Sequence, residues 1–334
     1  MTRTVLTSVL ALSIAAPLAA SELNLYSARH YDTDERLYSD FTAATGIKIN
    51  RIEGKADELM ARMVAEGQNS PADVLLTVDT SRLERAKNAG VLQSLENATL
   101  EASVPAEFQD AENQWFGFSS RARIIFYDKN DVANPPETYA DLANPEYKGM
   151  VCIRSGTNVY MQTILASIIT HEGEDAATDW AAGVLANFAR DPQGGDTDQL
   201  RGIVSGECDI ALTNTYYYAR SIRKDVSGLS GADNIGWVFP NQEDRGAHVN
   251  LSGGGIAAYA PNYDNAVAFL EYLASDQAQQ YFAAGNDEYP VVAGTSLSSS
   301  VESLGTFKAD DVDLSAVAKN VPAAQAIFNQ VGWK

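Results

Sequence analysis

From Leu23 onward the chain switches repeatedly between two hydrophobic periods. LNLYSA from Leu23, IKINRIE from Ile47 and VLLTV from Val74 read as short strands, the last apolar throughout. Between them lie segments of helical period. DTDERLYSDFTAATG sets Leu37, Phe41 and Ala44 at three- to four-residue spacing and stops at Gly46. KADELMARMVAEG pairs Leu59 with Met63 and Met60 with Val64, and stops at Gly67. A second set follows RARIIFYDKN, in which residues 124–127 read as a strand leaving a first lobe. MVCIR, DIALTN and NIGWVFP are its strand candidates; residues 159–170, 174–189 and about 197–205 are its helix candidates. SGGGIAAYA then predicts a returning strand and YDNAVAFLEYLASDQAQQYFAAG a helical stretch. Continuous apolar strands alternating with helices predict a parallel sheet covered on both faces. The fold class expected is α/β, with two doubly wound lobes and a cleft between them. The expected boundaries are 21–120 plus about 247–290 for one lobe, and 121–246 plus about 291–334 for the other.

Length fits that division, because 334 residues exceed what one hydrophobic core usually serves. The first residues alter the picture more. Arg3, an apolar stretch over residues 5–16, Pro17 and then small residues predict a secretory signal peptide over 1–20, cut after Ala20 or Ser21. The apolar stretch is short and interrupted for a bilayer span. Its removal takes away Arg3, so a net charge of −20 becomes about −21. Such an acidic chain is a poor partner for nucleic acid or anionic membranes. An exported protein can oxidise Cys152 and Cys208 to a disulfide, although spacing alone leaves them equally readable as two buried thiols. The cysteine spacing suggests no zinc site.

Ligand groups in an open α/β sheet gather beyond the carboxyl ends of its strands. Four segments put unusual side chains there: LYSARHYDTD, RSGTNVY, TNTYYYAR and the glycine-rich HVNLSGGG. The run of three tyrosines is the most pointed. Consecutive side chains on a helix or strand diverge, so at most two of them converge on one atom and the third turns into a lobe. Phenols ordinarily titrate near 10, but a hard, highly charged cation deprotonates its ligands. Ferric ion suits phenolates; zinc favours thiolate and imidazole, and calcium favours carboxylates and carbonyls. Aromatic cages for an ammonium group are the competing use, as in a binding protein for a cationic organic solute such as a polyamine. A secreted hydrolase is a third class. No G-x-S-x-G, H-E-x-x-H or phosphate-loop motif supports it, and His30, His171 and His248 are the only histidines.

PETYADLANPEYKGMVCI and FLEYLASDQAQQYFA resemble segments of the periplasmic solute-binding proteins of ABC importers, whose fold is of type II. LYSARHYDTDERLY, IEGKADEL, NSPADVLLTVD, FARDPQGGDTDQ, NTYYYAR and FPNQEDRGAHVNLSGGG are similar to the ferric-ion-binding members of iron importers, of the cyanobacterial FutA type. That resemblance implies Fe³⁺ as the transported ligand and an inner-membrane ABC permease as partner, with the binding protein a periplasmic monomer and no enzyme. It implies Tyr31, Tyr160, Tyr216 and Tyr217 as metal ligands, with His30 as an additional ligand in some members. Relatives that use a histidine, a glutamate and two tyrosines also take a synergistic anion; Tyr31 and Tyr160 depart from that pattern. Tyr218 is expected to be structural. Arg29, Arg121, Arg123 and Arg220 lie in or beside the matched motifs; an arginine near phenolates would stabilise the anions and tune affinity, yet most arginines are solvated surface charges, and none is expected as a ligand.

Overall fold

The computed structural model describes residues 21–29, 31, 33–229 and 232–334. The signal peptide expected over 1–20, and His30, lie outside the described residues. The chain opens with β1 (Glu22–Ser27), α1 (Asp34–Thr45), β2 (Lys48–Glu53), α2 (Ala56–Glu66), β3 (Val74–Val78), α3 (Thr80–Asn88) and α4 (Ala98–Ser103). A 13-residue strand, β4 (Phe116–Asp128), leads into β5 (Val151–Cys152), α5 (Val159–Glu172), α6 (Glu174–Ala186), α7 (Asp196–Val204), β6 (Ile210–Asn214), α8 (Thr215–Arg223) and β7 (Ile235–Val238). Then come β8 (Val249–Ile256), α9 (Tyr263–Leu273), α10 (Asp276–Asn286), β9 (Tyr289–Pro290), α11 (Ser299–Glu302), α12 (Leu314–Lys319) and α13 (Val321–Val331).

The sheet runs β2-β1-β3-β8-β4-β6-β5, with β7 and β9 also paired to β4. It is mixed, which corrects the expectation of a parallel sheet. β1 pairs in parallel with β2 and β3, and β5 with β6, but β8 is antiparallel to β3, and β4 is antiparallel to β6, β7, β8 and β9. VLLTV is buried at every position, and a strand covered on both faces reads as one apolar run whatever the direction of its neighbours. A second departure is Val64, which is 55% exposed: α2 turns Ala56, Leu59, Met60 and Met63 inward and carries Val64 past the edge of that stripe.

β4 is the strand that unites the lobes. Its first half, Phe116 to Ala122, pairs with β8; its second, Arg123 to Tyr127, pairs with β6. The apolar clusters divide the same way, with Leu25, Phe41, Leu76 and Phe116 joined to Phe269 and Phe282, and Ile125, Ile164 and Leu212 joined to Phe328 and Trp333. Late in the chain Leu314 returns to a cluster with Leu83 and Trp115. Gly253 to Gly255 sit where β8 is squeezed between β3 and β4. A Cβ there would run into the carbonyls of Phe116, Leu75 and Gln114, so close strand packing accounts for the three glycines.

Cys152 and Cys208 form a disulfide with a sequence separation of 56, tying β5 to the turn that enters β6. Closing a loop of that size restricts the unfolded chain. We expect reduction to lower stability by about 2–4 kcal/mol. Thermal unfolding with and without dithiothreitol checks this, and coincident curves would show that the bond contributes nothing.

Candidate metal centre

Each candidate tyrosine stands on the segment that follows a strand, Tyr160 after a six-residue loop from β5 to α5. Tyr31 follows β1, whose continuation is pinned by the Ala28 amide donating to the Leu76 carbonyl at 2.8 Å. Tyr160 is the second residue of α5; the Asn158 side chain caps that helix by accepting from the Tyr160 amide at 3.1 Å. Tyr216 and Tyr217 occupy the first turn of α8, directly after β6. Three of the four therefore lie at helix N-termini, where the peptide dipoles favour an anion.

Although up to 186 residues apart in sequence, the phenols meet. The Tyr160 and Tyr216 hydroxyls are 3.5 Å apart. The Tyr216 hydroxyl is also within hydrogen-bonding reach of Tyr31 and Tyr217. Rings of Tyr31 and Tyr216 pack edge to face at 6.4 Å, and those of Tyr216 and Tyr217 lie 4.2 Å apart. Tyr160 and Tyr216 are buried, Tyr31 and Tyr217 half-buried. Tyr218 turns away as expected: its ring packs on Phe126 and Trp237, and its hydroxyl donates to the Ala232 carbonyl at 3.3 Å. No cluster of three or more His, Cys, Asp or Glu suited to a metal exists among the described residues.

Five guanidiniums surround the phenols. Arg29 lies 4.9 Å from the Tyr31 ring centre, and Arg220 lies 5.8 Å from Tyr31 and 5.7 Å from Tyr216. Arg121, Arg123 and Arg154 crowd Tyr160 at 5.5, 5.8 and 5.5 Å. Arg121 and Arg123 alternate with Ala122 on β4, so the strand's two-residue period aims both at one face. Asp196 pairs with Arg123 at 2.5 Å and Arg154 at 2.6 Å. Arg121 has no carboxylate ion pair among the described residues; its Nη1 donates to Ser252 Oγ at 3.3 Å.

Burial raises Tyr31, Tyr216 and Tyr217 above the ordinary phenol value; Tyr160 adds to it at all three and Asp196 at Tyr217, while the hydrogen bond with Tyr216 lowers Tyr31 and Tyr217 in part. For Tyr31 the Glu288 carboxylate pushes the same way while Arg29 opposes it; Arg121 likewise opposes the rise at Tyr216. Burial pulls the Arg121 guanidinium down, but Tyr160, Tyr216, Asp79 and Glu288 together more than offset it, so the cation is secure. Burial and neighbouring arginines push His248 down to about 3, which leaves it a neutral imidazole. It lines, with Arg121, Arg123, Tyr160, Asn214 and Asn250, a cavity of about 10 Å³, room for one water. A cluster of buried phenols inside a ring of fixed cations is set up to lose protons to a bound metal ion, because the arginines then stabilise the phenolates. Sequence reasoning missed Arg154, Asp196 and Glu288. RSGTNVY contains Arg154, yet nothing local tells an arginine over a ring from a solvated one.

Such a two-lobed α/β fold with its site at the strand ends is that of a solute-binding protein. The profile of the bacterial extracellular solute-binding proteins matches residues 69–314, and the chain belongs to that family. Within it, the chain is 49% identical to Iron uptake protein A1 of Synechocystis, over 95% of this chain and 89% of that one. It is 28% identical to the Major ferric iron-binding protein of Neisseria meningitidis, over 97% and 96%. Among solved structures it is similar to Trichodesmium FutA in complex with iron and citrate, at TM-score 0.89 and 48% identity, covering 94% of this chain and 100% of that one. These findings bear out the family resemblance and the fold class.

Proposed function

We propose that the protein is the periplasmic ferric-ion carrier of an ABC importer, which holds Fe³⁺ between its lobes and hands it to an inner-membrane permease. Tyr31, Tyr160, Tyr216 and Tyr217 are the proposed ligands, and His30 is a candidate for an additional one. Export by a signal peptide cut after Ala20 or Ser21, action as a monomer, and lobes of 21–120 plus about 247–290 and 121–246 plus about 291–334 complete the proposal. Relatives named for iron uptake and ferric-iron binding support it, and they are transport proteins rather than enzymes.

The observation that carries the reading is the arginine ring. An ammonium-binding cage keeps its guest's positive charge, so five guanidiniums 4.9 to 5.8 Å from its rings would repel the guest. Ferric ion with four phenolates instead makes a complex of charge about −1, which the arginines stabilise. That contrast disfavours the polyamine alternative. Titrating the iron-free protein with ferric citrate should give a visible phenolate-to-iron charge-transfer band at one ion per chain. A protein that stays colourless while binding an amine would sink the ferric reading.

A further inference from the structure

GNDEYP, residues 285–290, runs from the last residues of α10 through Asp287 and Glu288 into β9 and carries no recognisable motif. Asn286, Asp287 and Glu288 are 0%, 0% and 1% exposed. Burying three consecutive polar groups, two of them carboxylic, is costly unless each finds partners. Each does, and each on a different part of the phenol cluster's support.

Asn286 Nδ2 donates to Asp34 at 3.0 Å and its carbonyl oxygen accepts from Thr33, so it grips the turn just after Tyr31. Asp287 takes a bidentate fork from Arg223, with bonds of 2.9 and 2.8 Å, and accepts from Ser300 Oγ at 2.8 Å. Arg220, one turn earlier on α8, stands 3.9 Å from the same carboxylate while covering the Tyr31 and Tyr216 rings. Glu288 pairs with Arg29 at 3.4 Å, beneath Tyr31. It also accepts from Ser252 at 3.4 Å, and Ser252 accepts from Arg121, the guanidinium over Tyr160. Three divergent side chains need a sharp turn, and Asp287 supplies it with a left-handed φ of 59° that Asp and Asn tolerate better than most residues. One tripeptide thus reaches, directly or through one more side chain, the supports of phenols from both lobes.

We propose that Asn286-Asp287-Glu288 is the positioning segment of the metal centre. It fixes Tyr31 of the first lobe against Tyr160, Tyr216 and Tyr217 of the second, and its two carboxylates hold Arg29, Arg220 and Arg223 in place. This rests on the ferric reading above. Partners one layer out from a metal typically change affinity 10–100-fold when altered.

The test uses Asp287→Asn, which keeps size and backbone preference, together with Glu288→Gln and Arg223→Gln. For each, iron release to excess chelator, the charge-transfer band and the thermal midpoint are measured. The near-UV circular dichroism of the iron-free form gives a readout independent of iron. We expect Asp287→Asn and Glu288→Gln each to release iron about 10–100 times faster, with a displaced band and an altered tyrosine dichroism. Asp287→Asn combined with Arg223→Gln should be no worse than the more damaging single change, because both act through one fork. Lower thermal midpoints with wild-type release, band and dichroism would make the segment merely structural and overturn the proposal. If Asp287→Asn fails to fold, the same readouts on Glu288→Gln and Arg223→Gln decide it. A wild-type protein without the band would topple the ferric reading and this proposal together; a wild-type band unaltered in the variants would topple this one alone.

Discussion

Tyr216→Phe should cost at least about 100-fold in ferric affinity and remove much of the charge-transfer band. Among the four phenols Tyr216 is the hub: its hydroxyl is 3.5 Å from that of Tyr160 and within hydrogen-bonding reach of Tyr31 and Tyr217. Deleting the oxygen removes one anionic donor and leaves the other three without the group they converge on. The ring remains, so its 4.2 Å contact with Tyr217 survives and the fold should be little disturbed. Tyr217→Phe should weaken binding less, since its hydroxyl neighbours that of Tyr216, whereas the Tyr216 hydroxyl neighbours all three of the others. Tyr218→Phe is the internal control. It loses one hydroxyl bonded to a backbone carbonyl, worth about 1 kcal/mol of stability, and should leave the band as it is. Competition of each variant against a chelator measures the series. A Tyr216→Phe protein that binds ferric ion as tightly as the wild type would remove Tyr216 from the ligand set.

That one of the three consecutive tyrosines must turn into the lobe was legible in the sequence, because the geometry of consecutive residues forbids three of them from converging; that it is Tyr218 came from the motif resemblance. Tyr31 and Tyr160 were reached through motif resemblance, since no local rule brings a turn after β1 next to the first turn of α5. The strand and helix alternation was readable for the same reason the sheet's direction was not. Period and length identify an element, while a strand buried on both faces looks alike in parallel and antiparallel company. What escaped altogether was the polar support. Arg29 and Glu288 are 259 positions apart, and each alone is an ordinary charged residue. Only the fold makes their meeting beneath Tyr31 inevitable. The Gly253 to Gly255 run shows the converse, a signal plainly visible whose cause, the carbonyls of flanking strands, required the packed sheet.

Ferric affinity should climb steeply with pH, by about a factor of 1,000 per unit between roughly pH 5.5 and 8 once the chelator's own protonation is corrected for. The slope follows from proton counting. Tyr31, Tyr216 and Tyr217 are all held above the ordinary phenol value of 10.0, so all three are protonated across that window in the iron-free protein. Binding these three as phenolates releases three protons, and each proton released contributes a tenfold gain per pH unit. The same shifts predict the stability of the iron-free form. A folded pKa raised above the unfolded one gives stabilisation that is complete below pH 10 and is lost as pH rises through the folded values, so alkali should unfold the iron-free protein first. Iron reverses that tendency, because the bound form needs the phenols ionised, and the loaded protein should outlast the iron-free one in base. Proton release is measured directly by titrating ferric ion in buffers of different ionisation enthalpy. A release of one proton or fewer would mean that the phenols bind neutral or not at all, and a metal centre built on tyrosinates would be untenable.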